Sequence, residues 1–166
     1  MKYPLFNLYE AQNIDTFWYL SSPYSRYEEG MDKAYEAVRL ITGGLIKSGV
    51  RVYSPILHSH PLNIEGIDPL DAEFWLNNQQ GMMKSSHGMI VATMKGWDKS
   101  FGVNYELEFF EKQEKPIRML CSSIGISSDL LENLQLGTFK REKLDDEQIE
   151  ALTLLWKKEE DSVNGK

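Results

Sequence analysis

Four short apolar runs, separated by segments of helical periodicity, constrain this chain to one kind of architecture. The runs are Phe17-Trp18-Tyr19-Leu20, Val50-Arg51-Val52-Tyr53-Ser54, residues 88–94 and Pro116 to Cys121. They are short, rich in aromatic or β-branched residues and bounded by turn formers, the pattern of strands. Between the first two, Ala34, Ala37, Val38, Ile41 and Leu45 recur at helical spacing, which predicts a helix over about 27–47. Asp68-Pro69 predicts a second helix start, with Asp as cap and Pro at the first helical position, running to about Lys84. A third helix is expected over about 103–114. The alternation βαβαβαβ predicts a parallel sheet with helices on both faces. The fold class is therefore a single doubly wound α/β domain, Rossmann- or flavodoxin-like, with four or five parallel strands.

The remaining segments are less patterned. Residues 1–15 are mixed and aperiodic and read as an arm or loop. Residues 56–67 read as a long loop that contains His58-Ser59-His60-Pro61 and Gly66. Ser127-Ser128-Asp129 can cap a short helix at 129–134, and Phe139 can mark an edge strand. Asp145-x-x-Gln148 predicts a last helix to about 158, with Ile149, Leu152 and Leu155 or Trp156 on one face. No repeat or linker divides the chain, so residues 1–166 are expected to form one domain with a full core.

Composition removes several function classes. The net charge is -7 with no basic block, which argues against a nucleic-acid polymer as partner. A small nucleotide stays open, since one phosphate needs few donors. Cys121 is the only cysteine, so an internal disulfide and a cysteine-based zinc site are excluded. The start of the sequence has no signal-type apolar segment. No run approaches the ~18–20 apolar residues of a membrane span. A cytoplasmic location without membrane contact is expected.

The chemistry concentrates in Trp97-Asp-Lys-Ser-Phe-Gly-Val-Asn-Tyr-Glu-Leu-Glu108. It follows the apolar third run and enters the third helix. Glu106 thus lies one turn inside a helix that starts at the carboxyl end of a strand, the edge where open α/β sheets bind ligands. The alternative is a solvated helix residue, the reading preferred for Glu108 and Glu111. Ser100, Gly102 and the first N–H groups of the helix form an anion site, and Gly102 allows close backbone approach. Ser21 and Ser22 offer a second anion site, unless Ser21-Ser22-Pro23 is only a helix entry. Trp97 sits where it can stack on a base. Trp75, Phe109 and Phe110 suit core packing.

His58 and His60 would point to one side if their segment were extended. Zinc needs three or four ligands, and His87 is the only other histidine. No metal is expected; the pair reads as pocket mouth or plain loop. No G-x-G-x-x-G follows the first strand, so no redox cofactor is expected.

Four motifs in order carry a family resemblance. They are Tyr19-Leu20-Ser21-Ser22-Pro23-Tyr24, then Tyr53-Ser54-Pro55-Ile56-x-His58-Ser59-His60-Pro61, then Phe74-Trp75, then Gly96-Trp97-x-x-Ser100-x-Gly102-Val103-x-x-Glu106. Over about residues 17–121 the chain resembles the nucleoside 2-deoxyribosyltransferase-like superfamily, in its small phage and bacterial branch. It is similar to 2′-deoxynucleoside 5′-phosphate N-hydrolases. The resemblance implies cleavage of the N-glycosidic bond of a nucleoside or nucleoside 5′-monophosphate, without cofactor, in a homo-oligomer. It makes Glu106 the nucleophile at C1′, places Tyr19 beside it and gives Ser100 to a phosphate. With the residues read above, the expected substrate contacts are Ser21, Ser22, Pro23, Tyr24, His58, His60, Trp97, Ser100, Gly102 and Asn104.

Two positions depart from that pattern. The catalytic position expected to carry an Asp on the second helix is Gln79, and a second usual Asp, before the third strand, is His87. Asp71 and Glu73 lie on the same helix and are candidate substitutes. A neutral Gln79 can hydrogen-bond a departing base but cannot protonate it. The alternative function is therefore a non-catalytic module that binds or sequesters a nucleotide; hydrolysis of an ADP-ribose-type dinucleotide is a third reading.

Overall fold

The computed structural model describes residues 2–120. Cys121, the helix expected at 129–134, the edge strand at Phe139 and the last helix at 145–158 lie outside the described residues. Four parallel strands form the sheet: β1 (Trp18–Ser21), β2 (Val52–Tyr53), β3 (Gly88–Ala92) and β4 (Ile117–Leu120), in the order β2-β1-β3-β4. Trp18 is in register with Val52 on one side and Gly88 on the other; Met89 is in register with Ile117. The fold is α/β and Rossmann/flavodoxin-like. The chain leaves β1 towards β2 and returns to place β3 on the other side, so the switch point lies between β1 and β3.

Strand alternation divides the core in two. Trp18, Leu20, Ile90 and Ala92 face one side, where they meet Val38, Ile41 and Leu45. Those three belong to α2 (Met31–Lys47). Tyr19, Met89, Val91, Ile117 and Met119 face the other side. There they meet Met83 of α4 (Ala72–Ser85) and Val103, Leu107 and Phe110 of α5 (Phe101–Lys112). Trp18, Tyr19 and Leu20 are fully buried, each contributing about 1.5–3 kcal/mol of apolar burial.

The N-terminal arm is ordered. Leu5 bridges Met119 in parallel, extending the sheet beyond β4, and α1 (Leu8–Gln12) follows. Arg118 of β4 holds Glu10 of α1 through a forked ion pair, and Phe6, Ala11 and Ile14 enter the first core.

Several boundaries differ from expectation for local reasons. α2 starts at Met31, because Tyr24 to Gly30 fold into consecutive turns and Gly30 takes φ 92° at the cap. Asp68 accepts the Leu70 N–H (2.8 Å) in a turn, and Asp71 caps α4 by accepting from Phe74 N–H (3.0 Å). α5 starts earlier than expected because Ser100 is its cap, accepting from Val103 N–H at 3.5 Å. The expected loop after β2 is helical. α3 (Pro55–Ser59) runs into a 3-10 segment, His60–Glu65, which stops at Gly66 (φ 75°). Pro55 and Pro61 each open a helical turn, where the missing N–H costs nothing. Among the described residues no helix is long and apolar enough to cross a membrane.

β3 begins where β1 and β4 leave no room. A Cβ on Gly88 would overlap the Pro116 carbonyl oxygen and lie 2.8 Å from the Trp18 ring. Gly88→Ala is expected to lower stability by about 2–3 kcal/mol. The check is a lowered urea midpoint at unchanged slope; an unaltered midpoint would contradict this packing.

Candidate functional site

The site follows from two periodicities. On β1, Tyr19 and Ser21 are two residues apart and face the α4/α5 side. On α5 the buried residues are Val103, Glu106, Leu107 and Phe110, the i, i+3, i+4, i+7 stripe of a core-facing helix. Glu106 occupies a position in that stripe which packing alone would give to an apolar residue. Its carboxylate therefore meets the sheet at the carboxyl end of β1.

Both carboxylate oxygens are held. Tyr19 Oη donates to Oε1 at 2.7 Å, and Ser21 Oγ donates to Oε2 at 2.5 Å. Glu106 is 6% exposed and makes no ion pair among the described residues. Burial pushes its pKa up to about 7, against the pull of the Ser21 and Tyr19 hydrogen bonds. The Tyr19 phenol is driven well above its ordinary value, first by burial and then by the neighbouring Glu106 charge. It stays protonated and acts as a donor.

Tyr19 Oη also lies 2.9 Å from the Gln79 side-chain oxygen position. The phenol has one proton, and an ionised carboxylate is the stronger acceptor. The phenol proton therefore lies between the Glu106 carboxylate and the Gln79 oxygen, and the carboxylate holds it while ionised. When Glu106 is protonated, Tyr19 donates to the Gln79 oxygen.

Glu106 and Gln79, but not Tyr19 or Ser21, reach a cleft of about 150 Å³ at the carboxyl edge of the sheet. Glu106, Gln79 and Ser22 line it together with Ser100, Phe101 and Gly102 at the start of α5. Tyr24, Ile56, Ser59 and Asn63 also line it, as do Leu70 and, from α4, Trp75 and Leu76. A Cβ on Gly102 would meet nothing within 4 Å, so the helix start faces open space. Ser22 Oγ is buried without a hydrogen-bond partner among the described residues. Gly96 fixes the turn that leads into α5: its φ is 82°, and a Cβ would overlap the Arg26 carbonyl oxygen.

The sequence-expected residues divide accordingly. Tyr19, Ser21, Gln79 and Glu106 are brought together, and Ser22, Tyr24, Ser100 and Gly102 line the cleft. Pro23 is fully buried beside it. His60 stands behind Tyr24: its Nδ1 shares a hydrogen bond with the phenol (2.8 Å), and its ring stacks on Tyr35 at 4.2 Å. His58 is exposed beside Tyr53, and because the segment is helical the two imidazoles do not share a face. Trp97 packs against the core cluster of the α4/α5 side. Asn104 is exposed and braces the turn before α5, donating to the Asp98 and Ser100 carbonyls (3.0 and 2.9 Å).

Asp71 caps α4, Glu73 is exposed, and neither lines the cleft. His87 packs edge-on against Trp18 at the opposite edge of the sheet. Sequence reasoning missed Asn63, Ser59, Leu70 and Phe101. Phe101 was detectable, as the residue between the capping serine and Gly102; Asn63 was hidden in a segment read as irregular.

A buried carboxylate of this kind carries a stability cost. Between pH 4.5, its ordinary value, and about 7, the folded state keeps a proton that the unfolded state has lost. Stability therefore falls as pH rises through that window and levels off above it. Glu106→Gln removes the cost while its amide can still bond Tyr19 and Ser21. The variant is expected to be more stable than the parent by about 3 kcal/mol near pH 8, with little difference near pH 4.5. Urea melts at the two pH values check this, and a variant less stable at both would contradict it.

Comparison with known proteins gives a family. The family described as Domain of unknown function (DUF1937) matches residues 16–122, from the start of β1 past the end of β4. No curated protein matches. The matched stretch contains the whole sheet and the cleft with Glu106, and the chain belongs to the DUF1937 family.

Proposed function

We propose that the protein cleaves the N-glycosidic bond of a nucleoside or nucleoside 5′-monophosphate, with Glu106 as nucleophile. The observation that carries this reading is a buried carboxylate, free of any cation among the described residues, held through both oxygens at a cleft on the ligand-binding edge. The motif resemblance to nucleoside 2-deoxyribosyltransferase-like enzymes supports the same assignment.

Breaking this bond develops positive charge on the sugar, which a carboxylate below C1′ stabilises and then captures. A lone pair of Glu106 forms the C1′–O bond as the C1′–N pair leaves with the base. Water then attacks C1′, the ester pair returns to Glu106, and a proton is released. Tyr19 and Ser21 orient the carboxylate without neutralising it. Ser100 and the first N–H groups of α5 suit a 5′-phosphate, at a helix end that favours anions. A phosphate there favours hydrolysis to free base and sugar phosphate over base exchange. The working unit is proposed to be a homo-oligomer in the cytoplasm.

The second reading, a module that binds or sequesters a nucleotide, is favoured by one observation: the amide Gln79 stands beside the nucleophile where an acid would serve. Base release from a panel of nucleosides and 5′-monophosphates separates the two. Turnover is expected, lost in Glu106→Ala. Tight binding of one compound without turnover would favour the module.

The nucleophile must be ionised, so kcat/KM is expected to rise tenfold per pH unit below about 7 and to flatten above it. A rate independent of pH across that range would contradict the assignment. Gly102→Ala fills the space beside the proposed phosphate. It is expected to raise KM for a 5′-monophosphate about tenfold or more, the loss of a charged hydrogen bond, while leaving the nucleoside unaffected and the fold no less stable. Equal effects on both would place the phosphate elsewhere.

A further inference from the structure

The proton inventory of the cleft restricts which base can leave. A neutral purine or pyrimidine departs as an anion unless an acid protonates it, and an enzymic acid contributes about 10²–10⁴-fold. Among the described residues that line the cleft, the ionisable side chains are Glu106 and Tyr24. Glu106 is committed as the nucleophile. Tyr24 is engaged on both sides, accepting from Asn63 Nδ2 at 2.9 Å and sharing a proton with His60 at 2.8 Å. Burial raises its phenol further, making it a poor acid.

Gln79 is 5% exposed and occupies the place beside Tyr19 and Glu106 where a proton donor would stand. Its oxygen accepts from the Tyr19 hydroxyl, and an amide, unlike a carboxylic acid, has no proton to give up to a departing base. Apolar and aromatic side chains, Ile56, Leu70, Trp75, Leu76 and Phe101, share the lining with the neutral polar Ser22, Ser25, Ser59, Asn63 and Ser100. A single anion and aromatic side chains, with no acid to spare, together suit a flat cation.

We infer, resting on the N-glycosidase reading above, that the substrate class is N-glycosides of cationic aromatic rings, pyridinium ribosides and their 5′-phosphates. Such a base needs no proton to leave. As Glu106 bonds to C1′, the C1′–N pair moves into the ring, cancels its charge and releases a neutral pyridine. Water then cleaves the glycosyl ester: its oxygen bonds to C1′, the ester pair returns to Glu106, and one proton goes to solvent.

The test is base release by the full chain from nicotinamide riboside and its 5′-monophosphate, beside adenosine, cytidine, deoxyadenosine, thymidine and their 5′-monophosphates. Each rate is divided by the uncatalysed rate of the same compound, which removes intrinsic leaving ability. The enhancement is expected to be at least about 100-fold larger for the pyridinium compounds, the contribution of one missing acid. Gln79→Asp supplies an acid and is expected to narrow that ratio by about tenfold or more. Glu106-dependent cleavage of neutral nucleosides with equal or larger enhancement would overturn this inference and leave the N-glycosidase reading standing. Absence of cleavage across the whole panel would overturn both. The panel on the parent chain decides even if Gln79→Asp does not fold.

Discussion

Everything proposed for this protein depends on one carboxylate in an apolar position. Glu106 sits on the core-facing stripe of α5, between Val103 and Phe110, where helix periodicity alone would favour an apolar residue. It is tolerated because β1 places two hydroxyls opposite it, on Tyr19 and Ser21, at the spacing that strand alternation dictates. A carboxylate with hydroxyl donors but no cation remains both buried and only partly stabilised. That is the condition under which a carboxyl titrates near neutrality, and it is unlike the exposed glutamates on the same helix.

The fold supplies the rest by placing chain ends together. The strand order β2-β1-β3-β4 opens a crevice where the chain reverses. Residues after β1, β2 and β3 converge there from separate parts of the sequence. Gly96 allows the turn after β3 to pass against the backbone at Arg26, and Ser100 starts α5 at the crevice. Gln79 reaches the same point from α4. Its amide completes a hydrogen-bond chain to Glu106 without adding charge, whereas an aspartate there would place a second anion near the first and raise its pKa further.

Most of the architecture was legible because buried parallel strands are short apolar runs and amphipathic helices repeat at 3.6 residues. Glu106 and Ser100 were legible because strand and helix bracket them closely. The segment after β2 was misread as a loop, since five-residue helical turns are too short to show periodicity and its prolines read as breakers. The same error grouped His58 with His60. The start of α4 was misplaced because Asp68 and Asp71 carry the same capping chemistry, and only the tertiary path selects between them. Trp97 and Asn104 lie in the stretch that enters α5; in the structure Trp97 packs against the core cluster and Asn104 braces the turn. The acceptor role of Gln79 depends on a contact 60 residues distant in sequence, with Tyr19, which no local pattern reveals.

The central claim is a covalent role for Glu106, and intact-protein mass spectrometry tests it most directly. A 2′-fluoro-arabinosyl N-glycoside slows both steps by withdrawing electrons from the sugar cation, and hydrolysis of the ester is slowed enough for the intermediate to accumulate. Incubation of the protein with the nicotinamide compound of that series, followed by acid quench and peptide mapping, is predicted to give one sugar added per chain, on Glu106. Turnover of the parent substrate with no adduct on Glu106, or with the sugar on another residue, would contradict the account.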